Sequence, residues 1–322
     1  MRCLALAQAW QDAGGEASLA VAEMPDALSP RVLAEKISLS RFDITPGSPE
    51  DACETLAQAH RLKADWVAID GDRFDSNFLG TVRAAGFRVL LIDDFAARES
   101  VTADLIVNPN LDEDGAPYRK RGATATLLMG PSYILLRREF RQWAEKRETR
   151  QHGNRILVTL GGSDPENLTP KIADALARCS DFEVTAIAGA GYDKADELRK
   201  MKANNLRVVS NPPHIVELMK DADQAIIAAG GTLWELLSVG CAVLSYSRNM
   251  VQGLVVQTLS HHGVVVDMGE TRHYDPAKLA ATVIELADSH QARKRMMDIG
   301  STLVDGLGAK RVVEAMQQSG AH

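Results

Sequence analysis

Residues 224–240 read Gln-Ala-Ile-Ile-Ala-Ala-Gly-Gly-Thr-Leu-Trp-Glu-Leu-Leu-Ser-Val-Gly, and they hold the types and spacing needed to bind an anion. The apolar run Ala225 to Ala229 reads as a buried parallel strand. Gly230 and Gly231 break it, Thr232 is placed to cap a helix, and Glu235 follows one turn in. Bare backbone N–H groups and the helix dipole point at an incoming negative charge in such a turn. A carboxylate one turn further can take two sugar hydroxyls, so a nucleotide diphosphate is the ligand that fits the pair. The competing reading is a tight turn followed by a glutamate that only complements the dipole. A second glycine turn, Leu160-Gly161-Gly162-Ser163-Asp164-Pro165-Glu166-Asn167, follows the β-branched run Ile156 to Thr159. It reads either as a loop under a nucleotide or as an ordinary strand-to-helix turn in which Asp164 or Asn167 caps the next helix.

The elements that must position these turns alternate along the whole chain. In the first half, 1–10 reads as a helix stopped by Gly14-Gly15 and 17–22 as a strand. Helix 50–62, strand 66–69, helix 76–85, strand 87–92 and strand 105–107 follow, with a polar loop over 112–122. Residues 137–151 read as a charged amphipathic helix, broken at His152-Gly153-Asn154. In the second half, strands at 155–160, 183–188, 206–209, 225–229, 242–246 and 264–267 alternate with helices. This pattern predicts an α/β protein of parallel sheets, divided into residues 1–150 and 151–322, with the last helix packing back on the first domain. Two Rossmann-type domains facing a cleft are expected, since such sheets take ligands at the C-terminal ends of their strands.

Composition narrows the function classes. Of 322 residues, 45% are hydrophobic and 25% charged, and the net charge is −7 with no basic block, which argues against a nucleic-acid partner. No apolar run approaches the ~20 residues of a membrane span. The first residues lack a cleavage signal and read as a helix, not a leader. The four cysteines, Cys3, Cys53, Cys179 and Cys241, are scattered, as in a reduced cytoplasmic protein. His261 and His262 are adjacent and cannot share a helix face, so no metal site is expected.

Taken jointly and in order, five segments resemble one family. They are Ile92-Asp93-Asp94, Asn108-Pro109-Asn110, Gly130-Pro131 through Tyr133, Leu135, Arg137, Glu139 and Phe140, then Gly161 to Pro165, and Gly230 through Glu235. The chain is similar to the UDP-2,4-diacetamido-2,4,6-trideoxy-β-L-altropyranose hydrolases of pseudaminic acid synthesis and their spore-coat polysaccharide relatives. The resemblance implies a GT-B fold, UDP held by the second domain, water-mediated cleavage of the sugar–UDP bond, and no metal or other cofactor. It places Gly230, Gly231 and Thr232 on the diphosphate and Glu235 on the ribose, with Gly161, Gly162, Ser163 and Asp164 lining the nucleotide. Gln252 matches the glutamine of the family's Asn-Gln pair near the sugar; its asparagine aligns with Val251, although Asn249 is close by.

The family also implies a strand and a Gly-x-Gly-His loop directly before the Met1-Arg2-Cys3-Leu4 helix, with that His as general base. The given sequence begins at Met1, so the first domain is expected to lack its first strand, and the base is sought elsewhere. Asp70, Asp72, Asp93 and Asp94 stand just past strand ends, each of them also explicable as a turn former. Asp72, which replaces a family tyrosine, is the candidate. The expected activity is a UDP-sugar hydrolase acting on a 2,4-diacetamido-2,4,6-trideoxyhexose type of nucleotide sugar. A glycosyltransferase of the same fold, and a non-catalytic UDP-sugar binder or N-terminally truncated enzyme, are the alternatives.

Overall fold

The computed structural model describes residues 1–110, 114–141 and 147–319. The chain divides into two compact units, Met1–Arg138 with Leu307–His322, and Glu139–Gly306. Relative to the expected break at 150, the division falls earlier for a physical reason. Arg138 is tied to the first unit, its N–H donating to Gln8 Oε1 at 2.7 Å and its guanidinium pairing with Asp12 at 2.7 Å and Glu35 at 2.6 Å. Arg147 and Arg150 instead reach the second unit, donating to the Ala222 carbonyl at 2.7 Å and to Asp223 at 2.9 Å.

Unit 1 contains α1 (Arg2–Asp12), β1 (Ser18–Val21), α2 (Ser29–Ala34), β2 (Ser38–Arg41), α3 (Pro49–Leu62), β3 (Trp66–Asp70), α4 (Ser76–Ala84), β4 (Arg88–Ile92), β5 (Leu105–Asn108), α5 (Ala116–Lys120) and β6 (Thr126–Met129). Strands β1 and β2 pair in parallel, and β3-β4-β5-β6 form a parallel four-stranded sheet. Local chemistry sets the helix starts. Ser48 accepts from Asp51 N at 3.2 Å with Pro49 at the first helical position, and Asp75 accepts from Phe78 N at 2.8 Å. One face of the sheet is covered by Ala5, Leu6 and Ala9 of α1 together with Val312, Val313 and Met316 from the end of the chain.

Helix α6 (Arg138–Arg141) leads to unit 2, which contains β7 (Arg155–Thr159), α7 (Thr169–Ala177), β8 (Glu183–Ala188), α8 (Ala195–Lys200), β9 (Leu206–Ser210), α9 (Ile215–Asp221), β10 (Gln224–Ala228), α10 (Gly231–Ser238), β11 (Ala242–Ser247), α11 (Met250–His261), β12 (Val265–Glu270), α12 (Pro276–Asp288) and α13 (His290–Leu303). Helix α14 (Gly308–Gln318) belongs to unit 1. The six strands of unit 2 are all parallel, in the order β9-β8-β7-β10-β11-β12. This is the doubly wound 3-2-1-4-5-6 order, whose direction reverses between β7 and β10. Strand β10 is buried along its whole length, as its continuous apolar run requires.

Two sequence expectations need correction. The predicted helix 137–151 is helical among the described residues only over Arg138–Arg141, and 147–150 is irregular because its arginines turn to Asp221 and Asp223. The predicted loop 112–122, of which 112 and 113 lie outside the described residues, includes α5, whose N-cap Gly115 is in the left-handed region. Among the described residues, no helix is long and apolar enough to cross a membrane.

Candidate functional site

In unit 2 the reversal of strand order puts the turn after β7 and the turn after β10 side by side. Ile227 stands opposite Thr159, and Ala228 opposite Tyr246. The Gly161–Asp164 loop, the Gly230-Gly231 turn and the 248–252 turn therefore leave three neighbouring strands at one edge of the sheet. An open crevice at the C-terminal ends of parallel strands, at the point of reversal, is where doubly wound domains bind ligands.

Helix α10 begins at Gly231 with Gly230 as its N-cap and no side-chain cap, so Thr232 is its second residue and does not cap it. Its first N–H groups have no partner within the helix. Glu235 is half-buried at the fifth helical position. The glycines here are not demanded by the fold. Gly162, Gly230 and Gly231 lie outside the left-handed region. A Cβ would meet nothing within 4 Å on Gly162 or Gly231, and only the Ala228 carbonyl, at 4.0 Å, on Gly230. Neither backbone conformation nor packing therefore requires glycine at these three positions.

The Asp164 carboxylate turns inward. It is buried and accepts from Leu168 N at 3.1 Å and Thr169 N at 2.8 Å, capping the start of α7. Ser163 is exposed on the loop. Asn249 and Gln252 are brought to the same edge, and they brace each other. Asn249 Oδ1 accepts from Gln252 N at 2.9 Å, and Gln252 Oε1 accepts from Arg248 N at 2.9 Å, a reciprocal cap of α11. Their acceptor oxygens are thus committed to the backbone, which leaves their amide nitrogens for a ligand.

Two supports of this edge are not legible in the sequence. The turn after β8 buttresses the glycine loop, with Gly191 N donating to the Gly162 carbonyl at 2.9 Å. Gly189 is needed there, because a Cβ would stand 2.4 Å from the Gly161 carbonyl oxygen. Tyr192 donates to Asn167 Oδ1, and burial, then Asp164, pushes its phenol up to about 12, so it stays a donor. The second support is Arg248, which donates to the Leu160 carbonyl. The signals were a third glycine pair after a strand and an arginine just past a strand end; both are common, and only the strand order gives them a place.

In unit 1, the four aspartates considered as bases behave differently. Asp93 is buried and accepts from Arg98 Nη1 at 2.9 Å and from the Tyr118 hydroxyl at 2.9 Å. Asp70 and Asp94 share Arg2, at 2.6 Å and 2.5 Å. Burial pulls the Arg2 guanidinium down, but the charges of Asp70 and Asp94 outweigh it and hold it above its ordinary range. Asp72 is exposed and, among the described residues, makes no hydrogen bond or ion pair. It lines a cavity of about 210 Å³ with Arg2, Gly71, Asp93, Asp94 and Phe95. Among the described residues, no group of three or more metal-binding side chains is present.

No family model matches the chain. It is 27% identical over 229 residues to an uncharacterized protein of Methanocaldococcus jannaschii, covering 68% of this chain and 47% of that one. The spore coat polysaccharide biosynthesis protein SpsG of Bacillus subtilis is 25% identical over 235 residues, 71% of this chain and 69% of that protein. The UDP-2,4-diacetamido-2,4,6-trideoxy-β-L-altropyranose hydrolase of Campylobacter jejuni is 26% identical over 168 residues, 51% of this chain and 60% of that one. The chain is homologous to these proteins, and the resemblance read from its motifs holds. The match spans about half the length of the archaeal relative.

Among solved structures, the spinosyn rhamnosyltransferase SpnG superposes with a TM-score of 0.71 at 14% identity, covering 98% of this chain and 96% of that one. The MurG protein of Acinetobacter baumannii gives 0.64 at 17%, covering 98% and 95%. A UDP complex of S. aureus MnaA gives 0.67 at 14%, covering 98% and 92%. At such identities these likenesses speak for the fold alone, which is GT-B, built of two Rossmann-type units.

Proposed function

We propose that unit 2 binds the UDP part of a nucleotide sugar and that the protein releases UDP from it by hydrolysis, in the synthesis of a surface polysaccharide or nonulosonic acid. The observation that carries the reading is the set of glycines that neither backbone nor packing requires, Gly162, Gly230 and Gly231, gathered beside an uncapped helix start at the reversal of strand order. The diphosphate sits on the first N–H groups of α10, with Thr232 beside it, and Glu235 takes the ribose hydroxyls. The Gly161–Ser163 loop lines the nucleotide, Asp164 holds that loop in shape, and Asn249 and Gln252 offer amide donors on the sugar side. The homologous Campylobacter protein is named a hydrolase of a UDP-linked diacetamido-trideoxy sugar, and a sugar of that class is the proposed substrate.

In the proposed reaction a water oxygen bonds to the anomeric carbon as the carbon–oxygen bond to the diphosphate breaks. The electron pair leaves on UDP, where helix N–H groups stabilise it, and a base takes the water's proton. Asp72 is the proposed base, because among the four aspartates at the strand ends its carboxylate alone is exposed and without a partner among the described residues.

Calorimetry with UDP tests the binding half. In the Gly231→Ala variant the added Cβ meets nothing within 4 Å, so the melting temperature is expected to stay near wild type while UDP affinity falls at least about tenfold. Unchanged affinity in that variant would mean the open glycines hold nothing. Incubation with UDP-sugars tests the chemical half. UDP released without an acceptor supports the hydrolase, release only with an acceptor makes the protein a transferase, and binding without release makes it a binding protein.

A further inference from the structure

Arg248 leaves the end of β11, yet its guanidinium reaches the loop after β7, with the end of β10 lying between the two strands. Both ends of the residue are fixed. Its backbone N–H donates to Gln252 Oε1 at 2.9 Å, and Nη2 donates to the Leu160 carbonyl. Nε is buried with no hydrogen-bond partner, 3.7 Å from the Glu166 carboxylate. Glu166 is engaged elsewhere, accepting from Thr271 Oγ1 at 2.9 Å. Nη1 has no acceptor among the described residues and lies 4.0 Å from where a Cβ on Gly161 would stand.

As a purely structural strut this arrangement is poor. Fixing an arginine costs rotamer entropy. A buried N–H left unbonded adds a desolvation penalty. The return is one carbonyl contact and a loose ion pair. Of the donors left over, Nη1 lies beside Gly161 on the glycine loop, and a guanidinium matches phosphate oxygens.

We propose that Arg248 reads the diphosphate, with Nη1 donating to a phosphate oxygen of a nucleoside diphosphate seated between Gly161-Gly162 and the start of α10. This rests on the reading of unit 2 as a nucleotide site and adds to it a cation across the reversal point, opposite the helix dipole. The residue is held before the ligand arrives, so the contact forms without reordering the side chain. It also assigns the site's selectivity: the phosphates, more than the nucleoside, set affinity.

The test compares UDP with uridine by calorimetry for the wild type, Arg248→Gln and Arg248→Lys. In Arg248→Gln the affinity for UDP is expected to fall about ten- to hundredfold, as for loss of a charged hydrogen bond. Uridine affinity is expected to change by no more than about twofold, since uridine carries no charge for the guanidinium to meet. Arg248→Lys keeps the charge without the fork and should lie between, and it carries the comparison if the glutamine variant melts early. An equal loss for both ligands would make Arg248 a buttress of the Leu160 loop, and unchanged UDP affinity would remove it from the site; either result overturns the proposal. A wild type that binds no UDP would take down the nucleotide reading itself, whereas binding with an unaltered UDP-to-uridine ratio in Arg248→Gln removes only Arg248.

Discussion

At the strand ends of unit 1, Arg2 pairs with Asp70 and Asp94, Arg98 and Tyr118 bond to Asp93, and Asp72 is left over. At the strand ends of unit 2 the side chains are likewise busy, Asp164 with α7 and Asn249 and Gln252 with α11, but the backbone is left open around three glycines and a helix start. Unit 1 has used its polar groups to hold its own turns together, while unit 2 has used its side chains to cap the helices that follow its turns. A polar residue at a strand end is therefore weak evidence of a ligand until its partners are known; an unspent donor in cleared space is stronger.

The contrast can be broken most severely at Asp72. The Asp72→Asn variant is expected to lower kcat for UDP release about a hundredfold or more, the usual contribution of a general base. Its UDP affinity should be unchanged and its stability within about 0.5 kcal/mol of wild type, since the side chain is exposed and unpartnered. Steady-state hydrolysis and thermal melts read both, and undiminished turnover would strip unit 1 of its chemical role.

Asp93→Ala probes the opposite kind of residue. Removing a buried carboxylate strands the Arg98 guanidinium, itself only 10% exposed, and should cost about 3–5 kcal/mol of stability in urea denaturation. Under conditions where the variant is folded, UDP affinity should hold; a parallel loss of binding would show that unit 1 is more than a self-contained strut.

Within unit 2, Gly189 and Gly162 separate packing from binding. Gly189→Ala places a methyl 2.4 Å and 2.5 Å from the Gly161 and Gly162 carbonyl oxygens and should cost about 1–3 kcal/mol, with UDP affinity reduced as the loop shifts. Gly162→Ala meets nothing within 4 Å, so its melting temperature should stay near wild type while UDP binding weakens. Equal stability losses in the two would contradict the cleared-space reading.

The smallest expected effect is on pH dependence. Burial, with Arg147 opposing and Asp223 adding, pushes the Cys241 thiol from 9.0 up to about 12. The folded state therefore keeps a proton that the unfolded state gives up, so this contribution is complete below about pH 9 and is lost as pH rises toward about 12. Urea midpoints should decline from pH 9 upward and be flatter in Cys241→Ala. A matching labelling experiment at pH 8 should modify the exposed Cys53 first and Cys241 only on unfolding.

Much of the fold was legible because alternating apolar runs and glycine turns are local signals. The strands of unit 2 lie within a residue or two of their expected places, from β7 to β11, and α10 starts one residue early, with Gly230 as its N-cap. The short elements α2, β2, α5 and β6 were not foreseen, since runs of four to six residues carry little periodicity. Charged amphipathic spacing favours helix locally over 137–151, but among the described residues 147–150 is irregular, because the ion-pair partners of Arg147 and Arg150 lie about seventy residues away in sequence.

For the site, the chain by itself determined which turns could hold an anion: a strand, two glycines and a helix start are contiguous, and their chemistry is backbone chemistry. It could not say which side chains were already spent. Asp164, Asn249 and Gln252 stood as ligand candidates, and their carboxylate and amide oxygens cap helices; Asp93 stood beside Asp72 and is locked to Arg98 and Tyr118. The order β7-β10-β11, which brings Arg248 across to Leu160, belongs to the tertiary structure alone. Strand order is fixed by how helices pack on both faces of the sheet, and no local run of residues encodes that.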